Sequence, residues 1–591
     1  MTDALPGPAF NIRDIPFSSH GSWFDISPVT AEHVRAQDLH LVSHQGGMHP
    51  VLRLVSVRGP RGERVDARWN ATPGRLRWTG QDGHIELTYQ SADTLRLRGT
   101  GMGLRISASA EQLTPFSGTY FLHDPVDGSY VFTSYETGRR YRITVLTGRA
   151  IDVRGCEALG TADRALTLTD THDGTGSWEA AVEELDSARP PYARAGAHEQ
   201  IADRAESAFT RFAEAVTPWR TPDTPAVELA AYVVWSATVR PSGFLRRPAV
   251  LMSKHWMDKV WSWDHCFNAL ALAPGAPELA WDQFQIMFDH QDESGALPDS
   301  VTHSEILYNF VKPPIHGWAL RRLRQRLPRP LDHAELTEAY TRLERWTTFW
   351  LTTRRAPGQT LPHYQHGNDC GWDNATTFDP GRLQITADLA AFLILQLREL
   401  ADLADELGLG EQAAAWARTA ETIQGAMIRE LWTGERFQAR SPRTGQSTTS
   451  LSLLDLMPIV LGEHLPTDIS ARLAAHIETH LTAHGLATEH PDSPHYQADG
   501  YWRGPIWAPA TVLIEDGLRR AGHHRLADEI STRFRALCEN SGFAENFDAL
   551  TGEGLRDRAY TWTASSYLLL AEDHTRRTHP QNDGHRGALH R

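Results

Sequence analysis

Two short stretches of the sequence each place a carboxylic acid beside an amide and an aromatic ring. They are Gly371-Trp372-Asp373-Asn374 and Ala544-Glu545-Asn546-Phe547. Each stretch lies between segments of helical periodicity, where a rigid scaffold can present a reactive side chain. A lone acid in such a loop is usually a cap or a turn former. A pair of acids in aromatic loops is what hydrolysis of a glycosidic bond requires, because one acid protonates the leaving oxygen and the other acts at the anomeric carbon.

The two candidate acids, Asp373 and Glu545, are far apart in the sequence. A ring of helices would allow both loops to point into one central pit. Trp372 and neighbouring aromatic side chains would then exclude water from one carboxyl group. Loss of water raises the pKa of a carboxyl, so that it stays protonated near neutral pH.

Three further loops contain residue types that bind sugars. Trp256, Trp261 and Trp263 precede Asp264. These residues have two interpretations of equal weight. In the structural one, the tryptophans form an aromatic core beneath a helix start, with Asp264 near the N-cap. In the functional one, they form a platform for a sugar, and Asp264 accepts hydrogen bonds from its ring hydroxyls. The polar loop from His290 to Asp299, which includes Gln291, gives a weaker signal because charged loops are usually just solvated.

The loop Tyr501-Trp502-Arg503-Gly504-Pro505-Ile506-Trp507 is the densest in aromatic residues. Its Gly-Pro pair is common at the start of a helix and needs no functional explanation. Two tryptophans, a tyrosine and an arginine are less simply structural. The Arg503 guanidinium is suited to orient a carboxylate or a substrate hydroxyl.

The elements that must position these residues fall into two classes. Up to about residue 190, apolar residues alternate with polar ones, as at Ile85, Leu87 and Tyr89, which predicts antiparallel strands in a β-sandwich. Helical periodicity follows almost to the end of the chain, and about a dozen helices fit a double ring, while a bundle or a solenoid stays open. The predicted helices lie near 225–238, 264–273, 276–290, 312–325, 333–355, 383–407, 410–430, 451–461, 467–481, 504–521, 523–540 and 560–572. The predicted domains are a β-sandwich over 1–190, a linker with a helix over 191–224, a helical catalytic domain over 225–572 and a flexible tail over 573–591.

Composition narrows the classes of function. The chain has 591 residues, of which 41% are hydrophobic and 22% charged, as expected for a globular protein of more than one domain. A net charge of -15 disfavours nucleic acid as a partner. Four scattered cysteines without a Cys-x-x-Cys pair favour buried free thiols over zinc ligands, and no His-Glu-x-x-His sequence is present. We expect no cofactor and no metal, although an accessory calcium stays open. The lack of a signal-peptide pattern or a long apolar stretch predicts a cytoplasmic location without a membrane partner.

Four stretches, in this order, resemble glycoside hydrolase family 63 and its bacterial relatives, a group that includes processing α-glucosidase I and the mannosylglycerate and glucosylglycerate hydrolases. The resemblance covers roughly residues 225 to 570 and implies an (α/α)6 barrel, often preceded by a β-sandwich. The stretches are Trp261-Ser262-Trp263-Asp264, Gly371-Trp372-Asp373-Asn374, Tyr501 to Trp507, and Glu545-Asn546-Phe547 with Thr561-Trp562-Thr563-Ala564.

The resemblance also implies roles for individual residues. Asp373 corresponds to the general acid and Glu545 to the general base of an inverting mechanism, for which the carboxyl groups lie about 6.5–9.5 Å apart. The residues implied to hold the sugar are Trp263, Asp264, Trp372, Tyr501, Trp502, Arg503 and Trp507. The predicted substrate-binding residues also include Gln291, Lys312 and Trp562.

Two positions depart from the family pattern. Many relatives have Gln-Pro-Pro before an inner helix, where this chain has Lys312-Pro313-Pro314, and Phe547 stands where tyrosine is commoner. If Lys312 faces the pit, it would favour binding of a different sugar hydroxyl or of an anionic aglycone. If it faces outward, it would have no bearing on substrate specificity.

The leading hypothesis is therefore an inverting, exo-acting α-glycosidase for a small α-glucoside or α-mannoside. One alternative is a phosphorolytic enzyme on the same scaffold, which would need an anion site and no catalytic base; Glu545 argues against it. The other is a sugar-binding protein without catalysis, against which the presence of both acids argues. The sugar, the linkage, the aglycone and the oligomeric state are left open by the sequence.

Overall fold

A computed structural model describes residues 7–58, 62–81, 83–170 and 176–579. The chain forms two compact units, and each unit is built from segments that are not continuous in the sequence. The first unit contains the described residues up to Glu214 together with Ala231–Lys259 and Thr302–Ser304, and the second contains Ala215–Ala230, Val260–Val301 and the described residues from Glu305 onward.

This division differs from the predicted boundary at residue 225. Residues 231–259 belong to the first unit because they contact its residues, as Tyr232 illustrates. The Tyr232 ring stacks on Phe10 with ring centroids 4.5 Å apart, and its hydroxyl donates to the Pro16 carbonyl at 3.2 Å. The periodicity of this segment predicted a helix correctly, but periodicity does not reveal which unit covers the apolar face of that helix.

Strands of the first unit form two antiparallel sheets, which confirms the β prediction for the N-terminal region. One sheet has the order β1-β2-β3-β9-β14-β13, with β4 paired to β3, and the other has the order β10-β11-β12-β15-β8-β7-β6-β5. The strands are β1 Phe24–Ala31, β2 Val34–Ser43, β3 His49–Arg58, β4 Glu63–Arg64, β5 Arg68–Thr72, β6 Arg75–Thr79, β7 His84–Ser91, β8 Thr94–Thr100, β9 Gly103–Ala108, β10 Thr119–His123, β11 Tyr130–Ser134, β12 Arg140–Thr147, β13 Arg149–Arg154, β14 Ala165–Thr169 and β15 Ser177–Leu185, followed by the short pair β16 Thr238–Val239 and β17 Ala249–Val250.

Helices dominate the second unit, as the periodicity predicted. They are preceded by α1 His198–Val216 and α2 Val227–Ala237 and continue as α3 Asp264–Leu272, α4 Pro277–Gln285, α5 His316–Arg326, α6 His333–Thr352, α7 Ala387–Glu406, α8 Gly410–Leu431, α9 Thr467–Thr479, α10 Ala508–Arg520, α11 His524–Ser541 and α12 Thr561–Thr578. Short 3-10 segments lie at Phe288–His290, Gly367–Cys370, Thr376–Phe378 and Leu453–His464. Among the described residues, no helix has the length and apolarity that a membrane span requires.

The predicted helix ends differ from the structure at positions that matter for the site. Helices α5, α7 and α10 begin about four residues later than periodicity suggested, because the residues ahead of them form loops. Lys312 and Trp507 lie in two of these loops. Helix α12 continues to Thr578, beyond the predicted domain end, and the remainder of the predicted tail from residue 580 lies outside the described residues.

Short strands of the second unit hold the loops between these helices. They are β18 Val260–Trp261, β19 Ser300–Val301, β20 Ile306–Leu307, β21 Ala439–Arg440, β22 Ser447–Thr448, β23 Asn546–Phe547 and β24 Gly554–Leu555. Strand β18 pairs with β19, and β23 pairs with β24. In addition, Ile506 and Phe547 exchange two backbone hydrogen bonds, at 2.7 and 3.1 Å. These pairings fix the segments next to Asp264 and Glu545 relative to the helix ends.

Candidate active site

A cluster of acidic side chains in the second unit surrounds one lysine and one tyrosine. Lys312 interacts electrostatically with Asp373, Asp299 and Asp264. Tyr501 interacts in the same way with Glu545, Asp373 and Asp264. The fold therefore brings the two predicted acids, from loops far apart in the sequence, to the same cluster.

Asp373 follows the 3-10 segment Gly367–Cys370, which ends at Gly371 with a φ of 77°. A Cβ at this glycine would lie 2.5 Å from the Trp263 indole, so both the backbone conformation and the close approach require glycine. Asp373 itself is partly exposed. Burial raises its pKa to about 6, although the Lys312 ammonium lowers the pKa and Asp299 raises it further.

The loop that carries Asp373 is tied to the aromatic loop at 501–507 by Asn374. Its Oδ1 accepts a hydrogen bond from the Trp502 backbone at 3.0 Å, and its Nδ2 donates to the Gly500 carbonyl at 3.0 Å. Arg503 adds a second tie, since Nε donates to the Asn374 carbonyl at 2.7 Å and Nη2 to Asp379 at 2.5 Å. Arg503 thus orients a carboxylate of the protein itself, and its contact with a sugar stays a prediction.

Glu545 is 1% exposed and stands just before strand β23, with its backbone N–H donating to the Asp557 carbonyl at 2.7 Å. None of the described residues offers its Oε1 a hydrogen bond. Burial raises the pKa of Glu545 to about 8, with a further increase from Asp557, while Arg556 and the Tyr501 hydroxyl lower it. The carboxyl is therefore held neutral by its surroundings at neutral pH.

Tyr501 is constrained from several sides. Its backbone φ is 64°, which a non-glycine residue adopts only when its surroundings enforce it. The Arg556 guanidinium lies over its ring at 4.9 Å from the centroid, and Trp507 contacts the ring edge-on at 5.0 Å. This arrangement keeps the phenol beside Glu545.

Asp264 and Lys312 form the other side of the cluster. Asp264 is the first residue of α3 and does not cap it, because the N-cap position is Trp263 and no side chain accepts a capping hydrogen bond. Burial raises the pKa of Asp264 to about 8, while Lys312 lowers it. Lys312 is buried and donates to the Asn368 carbonyl at 2.9 Å, with Asp299 Oδ1 3.0 Å from its ammonium.

The predicted tryptophans pack largely against each other. The rings of Trp502 and Trp507 stack with centroids 4.1 Å apart, Trp372 lies 4.6 Å from Trp502, and Trp562 contacts Trp263 edge-on at 5.4 Å. All five are between 1% and 3% exposed. Trp502 and Trp507 also contact the ring of Tyr501, and direct contact of the tryptophans with a sugar stays a prediction.

Two predicted contributors are placed differently from the rest. Trp256 belongs to the first unit, where its ring lies 5.1 Å from that of His33. Gln291 remains in the second unit, but its Nε2 donates to the carbonyls of Gly295 and Arg342, at 2.9 and 3.0 Å. Its amide therefore holds a loop against α6, and its role towards a substrate stays a prediction.

Sequence reasoning did not identify Arg556, Asp557 and Tyr560 as members of the cluster, and it included Asp299 only as the end of the polar loop from His290. Burial raises the pKa of Tyr560 well above its usual range, and Glu545 contributes to this shift. Arg556 and Asp557 could have been found from the sequence, because they follow Glu545 closely enough to return beside it in a hairpin, which β23 and β24 form.

One group of described residues has the donor types of a metal site, and it lies outside the carboxylate cluster. His265, Cys266 and His316 are buried, with ligand atoms within 4.8 Å of one another. His265 Nδ1 lies 2.9 Å from the Trp261 carbonyl, and its Nε2 lies 3.7 Å from the Cys266 sulfur. A weak S–H to nitrogen hydrogen bond accounts for this last contact, because burial raises the pKa of the Cys266 thiol well above its usual range. All four cysteines are free, and Cys156 is exposed, contrary to the prediction that they are buried.

Comparison with known protein families identifies the class of protein that contains this cluster. Residues 257–563 match the model of the mannosylglycerate hydrolase MGH1-like glycoside hydrolase domain. The chain belongs to this family. It is a glycoside hydrolase of the family 63 type, and the resemblance drawn from the four sequence stretches is confirmed.

Relatives of this glycoside hydrolase include two hydrolases that are named by their substrates. A mannosylglycerate hydrolase of Rubrobacter radiotolerans is 24% identical over 418 residues, covering 56% of this chain and 93% of the relative. A glucosylglycerate hydrolase of Mycolicibacterium hassiacum is 21% identical over 443 residues, covering 59% and 98%.

Solved structures extend the comparison to the fold. A bacterial glucoamylase in complex with acarbose aligns over 97% of this chain and 96% of its own, with a TM-score of 0.62 and 10% identity. A family 63 mannosylglycerate hydrolase of Thermus thermophilus in complex with glucose covers 58% of this chain and 98% of its own, with a TM-score of 0.50 and 20% identity. The fold of the glycoside hydrolase is therefore similar to that of glucoamylase along nearly the whole chain.

Proposed function

We propose that this glycoside hydrolase is an inverting, exo-acting α-glycosidase that cleaves a small α-mannoside or α-glucoside, conjugates with glycerate included. The observation that carries the proposal is the convergence of Asp373 and Glu545 on one cluster, in which both interact electrostatically with Tyr501. The named relatives support the substrate class, because they are mannosylglycerate and glucosylglycerate hydrolases. We also propose that the helices form an (α/α)6 barrel and the two sheets a β-sandwich, for which the likeness to glucoamylase is the support.

The proposed roles assign proton donation to Asp373 and activation of water to Glu545. Glu545 Oε1 is buried and accepts no hydrogen bond from the described residues, so it is free to accept one from a water molecule. That water would attack the anomeric carbon on the face opposite the leaving oxygen, which inverts the configuration. Tyr501, held by Arg556 and Trp507, would fix the direction of the Glu545 carboxyl.

A specific observation favours a second assignment in which the two roles are exchanged. The pKa of Glu545 is raised to about 8 and that of Asp373 only to about 6, so between these values the proton resides on Glu545. The pair then holds the single proton that inversion requires, but on the proposed base. Interacting carboxyls share their protons, and a bound sugar changes the burial of both. The resemblance to family 63 supports Asp373 as the acid, and the pKa order supports Glu545.

Glycosyl fluorides separate these assignments, because fluoride leaves without protonation. Wild type, Asp373→Asn and Glu545→Gln would be assayed on α-mannosyl and α-glucosyl fluoride and on the corresponding glycerate conjugates. We expect Asp373→Asn to lose the glycerate substrates but to keep hydrolysis of the fluoride, and Glu545→Gln to lose both. The opposite pattern would establish the exchanged roles. Glu553→Gln, an exposed change on the same hairpin, is the matched control.

The anomeric configuration of the product tests inversion itself. We expect NMR to show that the β-anomer of the sugar is released first. Initial release of the α-anomer would refute the acid–base pair and require a covalent intermediate. A rate that rises with added phosphate would favour the phosphorolytic alternative, and binding without turnover by wild type would favour the sugar-binding alternative.

A further inference from the structure

Lys312 is a buried cation at the point where the Asp264 and Asp373 loops meet. The geometry points to Lys312 as a positioning residue that holds the Asp373 loop in place for proton transfer, and not as a residue that binds the sugar. The inference rests on the proposed function, in which Asp373 is one of the two reacting acids.

The ammonium group of Lys312 is already occupied by protein atoms. An ammonium has three N–H donors and no acceptor. One donor bonds the Asn368 carbonyl at 2.9 Å, and Asp299 Oδ1 lies 3.0 Å away. Asp373 is the carboxyl with the largest electrostatic effect on Lys312, ahead of Asp299 and Asp264. Two of the three donors thus have protein partners, and because Lys312 is only 6% exposed, little of the ammonium is open to a sugar.

The partners of Lys312 belong to the two segments that must be held together. Asn368 lies in the 3-10 segment Gly367–Cys370, shortly before Asp373. Asp299 adjoins β19, and its carbonyl accepts a hydrogen bond from the Ser262 backbone at 3.1 Å, next to the start of α3. The ammonium therefore connects the segment that leads to Asp264 with the one that leads to Asp373.

A second contact supports the same joint. The backbone N–H of Val311 donates to Asp369 Oδ1 at 3.1 Å. Asp369 Oδ2 in turn accepts from Arg354 at 2.7 Å and from the Gln365 backbone at 2.8 Å. Two consecutive residues thus anchor the 3-10 segment, one through the backbone and one through a charge.

The charge of Lys312 also acts on the reacting acids. After burial, Lys312 is the strongest influence on the pKa of Asp373 and of Asp264, and it lowers both. Removing the cation should therefore raise the pKa of Asp373. Whichever limb of the pH–rate profile reports Asp373 should move to higher pH.

Kinetics of Lys312→Met on the substrate identified for wild type give the first test. We expect kcat to fall about 100-fold, because a displaced catalytic group is poorly oriented, with little change in KM. The limb assigned to Asp373 should move to higher pH. A raised KM with an unchanged kcat and pH profile would overturn the inference and assign Lys312 to sugar binding.

Lys312→Met also leaves Asp299 without its cation, and this effect needs its own variant. Lys312→Met with Asp299→Asn removes both charges of the pair. We expect the double variant to stay impaired, since the tie to Asn368 and the charge beside Asp373 are still missing. Recovery of wild-type kcat would mean that Lys312 serves only to neutralise Asp299, and would overturn the inference.

A stability cycle tests the coupling without any substrate, so failure of the proposed function leaves it intact. Wild type, Lys312→Met, Asp373→Asn and the double variant would be compared by Tm at about pH 8 and about pH 4. Non-additive shifts at the higher pH, where Asp373 is ionised, that disappear at the lower pH are expected. Additive shifts at both would refute the coupling.

Lys254→Met is the matched control for this cycle. Lys254 is another buried lysine, in the first unit, where it donates to Ser18 Oγ at 2.8 Å and to the Ser22 carbonyl at 2.7 Å. Its replacement should change the Tm without any coupling to Asp373→Asn and without moving the pH–rate profile.

Discussion

Replacement of Glu545 by Gln is expected to have two effects: it abolishes turnover, and it stabilises the folded protein. The carboxyl is 1% exposed, and its Oε1 accepts no hydrogen bond from the described residues. Burial, reinforced by Asp557, raises its pKa from 4.5 to about 8. A site that needs this carboxyl for chemistry therefore keeps a group whose ionisation opposes folding.

The size and the pH window of the effect follow from linkage. Between pH 4.5 and about 8 the folded protein keeps a proton that the unfolded chain has released, so the free energy of unfolding decreases as the pH rises through this window. At about 1.36 kcal/mol per pH unit, the loss is roughly 3 kcal/mol at pH 7 and about 5 kcal/mol above pH 8. Gln imitates the neutral carboxyl, so Glu545→Gln should recover this amount.

Asp373→Asn provides an internal comparison with a different window. Burial raises the pKa of Asp373 from 3.8 to about 6, so the stabilisation by Asn should level off above about pH 6. The shift corresponds to roughly 3 kcal/mol at most, and less where the partial exposure of Asp373 screens it. The gain from Glu545→Gln should continue to grow up to about pH 8.

Thermal unfolding between about pH 5 and pH 9, followed by tryptophan fluorescence, measures both curves. Glu553 is exposed on the same hairpin, and Glu553→Gln should leave the Tm unchanged. A Glu545→Gln variant that is destabilised at every pH, or whose Tm gain does not depend on pH, would refute the reasoning. It would mean that the carboxylate of Glu545 is stabilised by the fold.

Two further predictions concern the loop of Asp373 and the core of the first unit. Asn374→Ala removes two hydrogen bonds of an exposed side chain, so it should lower the free energy of unfolding by only about 1 kcal/mol. It should nevertheless reduce kcat about tenfold or more, because the loop of Asp373 is no longer held in place. An unchanged kcat would refute the positioning role of Asn374. Burial lowers the pKa of His44, but hydrogen bonds to Asp25 and Asp258, at 2.8 and 3.1 Å, outweigh it and raise the pKa to about 9. The resulting stabilisation of roughly 3 kcal/mol is present below pH 6.5 and is lost as the pH rises through about 9, so His44→Gln should lower the Tm strongly at pH 6 and less at pH 10. A Tm loss that is equal at both pH values would contradict this.

Local periodicity was enough to predict most elements of the fold. Helix α7 is an example, since periodicity predicted a helix near 383–407, although every residue from Ala387 to Leu397 is buried. Alternation at Ile85, Leu87 and Tyr89 likewise predicted a strand, and these residues lie in β7. Such patterns depend on neighbours within a few residues, and a sequence displays those directly.

Contacts between distant residues could not be predicted in the same way. Nothing in the sequence indicates that Lys312 meets Asn368 and Asp299, or that Arg503 binds Asp379, because each pair is brought together by the packing of separate helices. The sequence suggested which loops hold reactive residues. The partners that occupy a side chain, and hence whether it is free for a substrate, depend on the tertiary structure.

The tryptophans of the motifs can be reinterpreted on this basis. They suggested a surface that stacks on sugar rings, but Trp502 and Trp507 stack on each other at 4.1 Å and are each 1% exposed. A ring face in such a stack cannot also cover a sugar. Burial is the largest cause of the raised pKa of Asp264, of Asp373 and of Glu545. The buried Trp263 and Trp372 directly precede Asp264 and Asp373 in the chain, and Trp507 contacts Tyr501. The aromatic motifs of this glycoside hydrolase therefore belong to the buried surroundings that raise the pKa of Asp264 and of Glu545 to about 8 and so keep both carboxyls neutral at neutral pH.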